Sequence, residues 1–135
     1  MPTPNEIRRH RSPIGEMVLL DDGVIVHTLD EGAVVDTRVA DQVIRDTELL
    51  AAGQPVAVVV DLRKVAYADL ESREVFANNP SESVEVATAL VVGQRVAQFL
   101  ATRWVDHSKP NRDTAIFEEV DEAVSWAAER LTQPR

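Results

Sequence analysis

The sequence contains no cysteine, and this absence excludes several chemistries at once. Without thiols the chain cannot form a disulfide, bind a metal through thiolate or use a thiol nucleophile. Glycine is also scarce, with five residues, and their spacing matches neither the G-x-G-x-x-G motif of dinucleotide-binding folds nor a P-loop. The sequence therefore predicts no bound nucleotide or other cofactor.

Long hydrophobic runs are missing as well. No segment approaches the roughly 18 consecutive apolar residues that a transmembrane helix needs. Residues 1–13 are basic, but no apolar segment follows them as it would in a secretory signal. We expect residues 1–13 to be a flexible tail, residues 14–133 to form one domain of ordinary size, and the protein to be cytoplasmic without a membrane span.

The chain also lacks an excess of positive charge, since its formal net charge is -9 at pH 7. A nucleic-acid partner requires a basic surface that displaces counterions from the phosphates. We therefore do not expect nucleic acid as a partner and expect another protein or a small molecule instead. A homodimer is compatible with the sequence, since two-fold dimers are the commonest oligomers, although no apolar stripe demands one.

Catalytic residue types are few. There are three histidines, and no pair of them has the i, i+4 spacing of a helical metal site, so we predict no metal. His27 lies in an alternating strand pattern that favours a partly buried histidine with satisfied hydrogen bonds. Asp106–Ser108 brings triad residue types together, but sequence neighbours rarely point at one another and no G-x-S-x-G motif exists. We expect no enzymatic activity.

The N-terminal half shows clear strand and helix patterns. Asp22–Gly23 between two apolar runs predicts a hairpin of Met17–Leu20 with Val24–Leu29. A further turn is predicted to lead into a short strand at Ala33–Val35. A helix should then begin at a capping Asp36 or Thr37, carry an apolar stripe to Ala51, and end at Gly53 in a left-handed conformation.

The segment Val56–Val60 is continuously apolar, which is typical of a strand covered on both faces and flanked by parallel strands. The same reasoning predicts further strands at Val86–Val92 and Thr114–Phe117, and helices at Leu70–Asn79, Gln94–Val105 and Val120–Leu131. The order is ββ(β)αβαβαβα. It predicts an α/β domain whose mixed sheet is led by an antiparallel hairpin and continues in alternating βα units.

This order, with the segment "VAVVVDLRKVAYADLESREVF", resembles the STAS domains, whose founding members are bacterial anti-sigma-factor antagonists with a SpoIIAA-like fold. In that family a strand is followed by "DL" and then by "DSSG" at a helix start, and the first serine is phosphorylated to switch partner binding. The "DL" matches Asp61 and Leu62, and the motif aspartate matches Asp69. Leu70 stands at the position of the phosphorylated serine and Ser72 at that of the glycine, so the resemblance implies a module without the usual phospho-switch.

A second resemblance is to uncharacterised STAS-like or SEC14-like bacterial proteins, in which "VDLR…SREARxxF" and "IFxxxxEAxxWL" recur. Here the matching segments are "PVAVVVDLR", "ESREVF" and "IFEEVDEAVSWAAERL". SEC14-like relatives hold lipids, so the resemblance leaves open a cavity for an apolar ligand beside Phe99 and Trp104. Core packing is the ordinary role of such aromatic residues.

Ligands of open α/β sheets lie beyond the carboxyl ends of the parallel strands. The loops at that end supply the candidate ligand- or partner-binding residues, which are Asp61, Arg63, Asp69, Ser72, Arg73 and Arg95. One interpretation is an anion bound among the three arginines, and the other is that these arginines pair with nearby carboxylates. Asp69 is also placed to cap the following helix, and Ser72 is either a first-turn serine or a displaced phosphosite.

The sequence thus favours a non-enzymatic STAS-like regulatory or protein-interaction module. The alternative is a carrier or sensor of a small anionic or lipid-like ligand. Both would use the surface after Val56–Val60.

Kinases that act on ordinary anti-sigma-factor antagonists should leave residues 65–76 unmodified, because leucine at position 70 offers no hydroxyl. Incubation with such a kinase and ATP, followed by peptide mass spectrometry, checks this. Phosphate on Ser72 would show that the acceptor has moved along the helix rather than disappeared.

Overall fold

The computed structural model describes residues 5–64, 67–68, 84–93 and 113–132. The strands are β1 (Glu6–Ser12), β2 (Gly15–Leu20), β3 (Val24–Leu29), β4 (Val34–Val35), β5 (Val56–Asp61), β6 (Tyr67–Ala68), β7 (Glu85–Val91) and β8 (Asp113–Phe117). The helices are α1 (Thr37–Ala51) and α2 (Val120–Thr132). Two predicted helices, Leu70–Asn79 and Gln94–Val105, lie outside the described residues.

Six strands form one sheet in the order β1-β2-β3-β5-β7-β8, and β4 pairs with β6 in a separate two-stranded sheet. The pairings β1–β2 and β2–β3 are antiparallel, whereas β3–β5, β5–β7 and β7–β8 are parallel. The predicted α/β class is therefore confirmed, with an antiparallel hairpin leading a parallel section.

The predicted hairpin forms between β2 and β3. Gly23 has a φ of 88°, a conformation that a residue without Cβ adopts readily, and its N–H donates to the Leu20 carbonyl at 3.1 Å. The Asp22 carboxylate accepts from the Val24 N–H at 3.2 Å. This turn fixes the register that sets Leu19 opposite Ile25.

The prediction of a flexible tail at residues 1–13 is wrong for Glu6–Ser12, which forms the edge strand β1. Its sequence lacks apolar alternation because it is paired on one side only, with β2, and most of its residues are exposed. Ion pairs join Arg9 to Glu6 and Glu16, and Arg11 to Asp30. Charged residues on an edge strand also discourage pairing with other chains.

Helix α1 begins at the predicted cap, Asp36. The Asp36 carboxylate accepts from the Val39 N–H at 2.9 Å, which satisfies one of the backbone donors left unpaired at a helix start. At the other end Ala52 and Gly53 both have positive φ, 52° and 81°. The left-handed turn predicted at Gly53 thus begins one residue earlier.

Strand β5 is interior, as predicted, and is buried from both sides. Val56 and Val58 share a buried cluster with Leu50 of α1, whereas Val59 shares another with Ala123 of α2. Because successive side chains of a strand point to opposite faces, the two helices cover opposite faces of the sheet. Within the described part of the chain, no helix is long and apolar enough to cross a membrane.

Replacement of Gly15 by alanine should destabilise the fold by about 1–3 kcal/mol, the usual cost of overpacking. A Cβ at Gly15 would collide with the backbone of Thr28 and Leu29 in the neighbouring strand, whereas a Cβ at Gly93 meets nothing within 4 Å. Urea unfolding of Gly15→Ala, with Gly93→Ala as the control, measures the difference. Equal midpoints for the two variants would contradict the close approach of β2 to β3.

Candidate functional site

The carboxyl ends of the parallel strands meet at one edge of the sheet and form a surface that we call the rim. It consists of Asp61, the last residue of β5, the segment Leu62–Lys64 that follows it, Val92–Gly93 after β7, and Glu118–Glu119 after β8. Backbone hydrogen bonds tie these segments together, from Leu62 N to Val91 O at 2.8 Å and from Val92 N to Phe117 O at 3.0 Å. The rim is therefore held by backbone bonds that continue beyond the ladders of the strands.

Asp61 and Arg63, two of the predicted site residues, form an ion pair on the rim. The Arg63 guanidinium donates from Nε to Asp61 Oδ1 at 2.9 Å and from Nη2 to Asp61 Oδ2 at 2.7 Å. The Arg63 backbone N–H also donates to Oδ1, at 3.1 Å. The Asp61 side chain is 10% exposed and that of Arg63 is 44% exposed, so the carboxylate is inside and the guanidinium faces solvent.

Electrostatics reinforce this pair. Burial of Asp61 alone would raise its pKa, but hydrogen bonds from the side chain and backbone of Arg63 outweigh that effect, so the pKa lies below its usual value. The pKa of Arg63 is raised, first by its hydrogen bond to Asp61 and to a lesser degree by the negative charge of Glu119. Both groups are therefore charged at neutral pH, and the loop conformation depends on their attraction.

The interpretation in which arginines pair with nearby carboxylates is thus realised at Arg63. The other predicted site residues, Asp69, Ser72, Arg73 and Arg95, lie outside the described residues, as do Phe99, Trp104 and Asp106–Ser108. The structure brings together Asp61 and Arg63 only, within the part of the chain that it describes.

A second polar cluster is formed by residues of β1 and β3. Ser12 Oγ is 2.8 Å from His27 Nε2, donates to the Gly15 carbonyl at 3.0 Å and accepts from the Ile14 N–H at 3.2 Å. Ser12 is 2% exposed and His27 is 1% exposed. The predicted partly buried histidine is therefore almost completely buried, and its hydrogen-bond partner comes from the edge strand.

Asp46 of α1 lies at the border of this cluster. His10 Nε2 is 3.1 Å from Asp46 Oδ1, and Gln42 Nε2 donates to the same oxygen at 3.0 Å. Asp46 is buried, and a buried carboxylate requires such partners. The contact joins α1 to β1, the strand that also carries Ser12.

The Ser12–His27 pair is not arranged as a catalytic dyad. A nucleophilic serine must be reachable by substrate and must give its proton to the histidine. Ser12 is buried and gives its proton to the Gly15 carbonyl, so His27 Nε2 acts as the donor to Ser12 Oγ. Among residues 5–64, 67–68, 84–93 and 113–132, no group of three or more His, Asp or Glu side chains is placed to hold a metal ion.

Sequence reasoning missed this cluster because residues 1–13 were interpreted as a tail. The available signal was the alternation of His10 and Ser12 with Arg9 and Arg11, which places the imidazole and hydroxyl on one face of a strand and the guanidinium groups on the other.

The family model described as Domain of unknown function (DUF7793) matches residues 18–130. Among solved structures, the chain is similar to the crystal structure of an uncharacterised protein from the DUF3478 family, with a SpoIIAA-like fold, from Shewanella loihica PV-4. The two share 16% sequence identity with a TM-score of 0.54, over 94% of this chain and 98% of that chain. A comparison with curated proteins found no match. This likeness confirms the predicted SpoIIAA-like fold, and at this level of identity it is evidence for the fold alone.

The stability of the protein should fall as the pH is lowered from about 6.5 to about 4. Burial lowers the pKa of His27 from 6.5 to about 4, against the attraction of Asp46 and Asp30. The unfolded chain therefore takes up this proton at a higher pH than the folded chain, and the linked loss is on the order of 3 kcal/mol.

The measurement is urea unfolding of the wild-type protein and His27→Gln between pH 7 and pH 4. Glutamine keeps a neutral donor at this position, so the difference in unfolding free energy between the two proteins should change across that interval. A difference that stays constant with pH would contradict the assignment of the lost stability to His27. His10→Gln, which replaces a histidine whose side chain is 31% exposed, is the control for the loss of a less buried histidine.

Proposed function

The chain belongs to the DUF7793 family, and on that premise we propose that it is a non-enzymatic regulatory module with a STAS-like fold that binds another protein through the rim. The proposed contact surface is centred on Asp61 and Arg63, and the sequence adds Asp69, Ser72, Arg73 and Arg95 as further candidate contact residues. We place this activity in the cytoplasm. The observation that supports the proposal is that the Arg63 guanidinium is hydrogen-bonded to Asp61 and still exposed to solvent.

The Asp61–Arg63 pair supports protein binding because it presents an arginine that is already fixed in position. Three hydrogen bonds to the Asp61 carboxylate restrain Arg63, yet its side chain is 44% exposed. A restrained arginine loses less conformational entropy when a partner contacts it. Arginines of this kind are enriched among the residues that dominate binding energy at protein interfaces.

The same geometry weighs against the alternative, a carrier or sensor of a small anion. The Asp61 carboxylate accepts from two of the five N–H donors of the Arg63 guanidinium and offsets its positive charge, which weakens the attraction of a small anion to this arginine. An anion that displaced Asp61 would leave the nearly buried carboxylate without its partner, which is costly. A protein partner can contact the exposed side of Arg63 while the pair remains intact.

Regulation in this module is proposed to differ from that of ordinary anti-sigma-factor antagonists. In those proteins the resemblance assigns the switch to a serine, and here Leu70 occupies that position. Partner binding would then depend on the amount of each protein or on another signal, rather than on phosphorylation at this position.

The test compares partner capture by the wild-type protein, Arg63→Ala and Arg45→Ala in cross-linked cells of the native host, quantified by mass spectrometry. Arg45 is the matched control, an exposed arginine of α1 with one side-chain hydrogen bond, to Gln42 at 3.3 Å. We expect a partner that is retained by the wild type and Arg45→Ala and reduced at least about tenfold for Arg63→Ala, the effect of losing one strong interface residue.

A thermal-shift screen with acidic metabolites, nucleotides and fatty acids completes the test. It should leave the melting temperature of the wild-type protein unchanged, because a ligand that binds the native state raises it. A rise of several degrees that disappears in Arg63→Ala would overturn the proposal in favour of the small-ligand alternative. Equal capture by all three proteins would overturn the rim as the contact surface.

A further inference from the structure

The register of the parallel strands sets three residues of the rim at one level. The last row of residues that pair across β5, β7 and β8 is Asp61, Val91 and Phe117. Two positions further along each chain segment lie Arg63, Gly93 and Glu119, which we call the rim row. The backbone hydrogen bonds of the rim continue the strand alignment by one residue, so the rim row follows it closely. It consists of a cation, a residue without a side chain, and an anion.

Both charged ends of the rim row are held in place and exposed. Arg63 is restrained by its hydrogen bonds to Asp61. The backbone of Glu119 is fixed by α2, because its carbonyl accepts from the Ala123 N–H at 3.2 Å in the first turn of that helix. Among the described residues, no ion pair joins Arg63 to Glu119. The two opposite charges therefore stand apart on one surface instead of neutralising each other.

The neighbours of the rim row strengthen this separation of charge. Exposed Lys64 follows Arg63, so the two positive charges at the end of β5 outweigh the negative charge of Asp61. Exposed Glu118 precedes Glu119 at the end of β8. One side of the rim is thus positive and the other negative.

Glycine at position 93 is not required by the fold around it. Gly93 is not among the glycines with positive φ, and a Cβ there would meet no described atom within 4 Å. Gly93 is also exposed. The absence of a side chain at the middle of the rim row allows the backbone of another molecule to approach closely.

We propose that the partner bound at the rim presents a segment with one carboxylate and one basic side chain, which lies across Gly93 between Arg63 and Glu119. This inference rests on the proposed protein-binding function. Neighbouring strands lie about 4.8 Å apart, so the ends of β5 and β8 are separated by about 10 Å, and the two charged groups of the segment match that distance. The carboxylate accepts from the N–H donors of Arg63 that Asp61 leaves unused, and the basic side chain pairs with Glu119.

The two signs of charge also fix the direction of the segment. A reversed segment would bring like charges together at both ends, which is unfavourable. A purely acidic segment would be repelled by Glu118 and Glu119. The rim therefore selects for a segment of mixed charge in one orientation.

Photo-cross-linking identifies the segment. A photoreactive amino acid replaces Glu118 in the full chain, expressed in the native host, and the cross-linked peptide is sequenced by mass spectrometry. It should come from another protein and contain a basic residue, with Asp or Glu about three positions away in an extended segment or about seven positions away in a helix. A peptide of a second copy of this chain, or one without this pair of charges, would overturn the proposal.

The cross-linked protein, once purified, is the probe for calorimetric titration of the wild type and of two variants, Glu119→Lys and Gly93→Leu. Each variant should bind about tenfold more weakly or worse, and reversing the basic residue of the partner to glutamate should restore binding to Glu119→Lys. Glu48→Lys, at an exposed glutamate of α1, is the matched control and should bind like the wild type. Urea unfolding checks that each variant is folded, and Glu119→Gln replaces Glu119→Lys if the latter is not.

Arg63→Ala separates this inference from the function on which it rests. Weaker binding by Arg63→Ala, with unchanged binding by Glu119→Lys and Gly93→Leu, would overturn the segment of mixed charge and leave the rim as the contact surface. Unchanged binding by all three variants would overturn both the segment and the rim.

Discussion

The fold depends on the burial of β5 from both sides. Val58 packs under α1 and Val59 under α2, so this one strand contributes to two of the three apolar clusters on opposite faces of the sheet. Its neighbours β3 and β7 run parallel to it, and their carboxyl ends therefore meet at one edge. Helices α1 and α2 cover the two faces of β5. The chain becomes polar where β5 ends, and Asp61 is its first charged residue there.

Each of the two polar clusters contains a buried titratable side chain, and the two side chains differ in charge. At the rim, Asp61 keeps its charge because Arg63 supplies an opposite charge and three hydrogen bonds. In β3, His27 remains neutral at neutral pH because burial opposes its charge. The first arrangement keeps both members of the pair charged at the rim, whereas the second makes the stability of the fold depend on pH.

The sequence predicts the interior of this fold better than its margins. Apolar continuity identified β5, and the Asp22–Gly23 turn and the Asp36 cap identified β2, β3 and α1, since these signals are local or follow directly from burial. Strand β1 was missed because its stability comes from pairing with β2 and from ion pairs across strands, neither of which leaves an apolar pattern. At the candidate site, Asp61 and Arg63 were named from their position after β5, but their mutual pairing depends on side-chain geometry. The Ser12–His27 contact joins residues 15 positions apart, and no local signal specifies it.

The charged character of β1 has a consequence for how the protein behaves when shortened. A truncated protein beginning at Ile14 would lack residues 1–13, which the sequence predicts to be a tail. Strand β2 would then lose β1, its hydrogen-bonding partner on that side. The bare ladder of β2, with Met17 and Leu19 beside it, has no arginines to repel another β-strand. Such an unprotected strand edge is a template for intermolecular pairing, so we expect the truncated protein to aggregate more readily than the full chain.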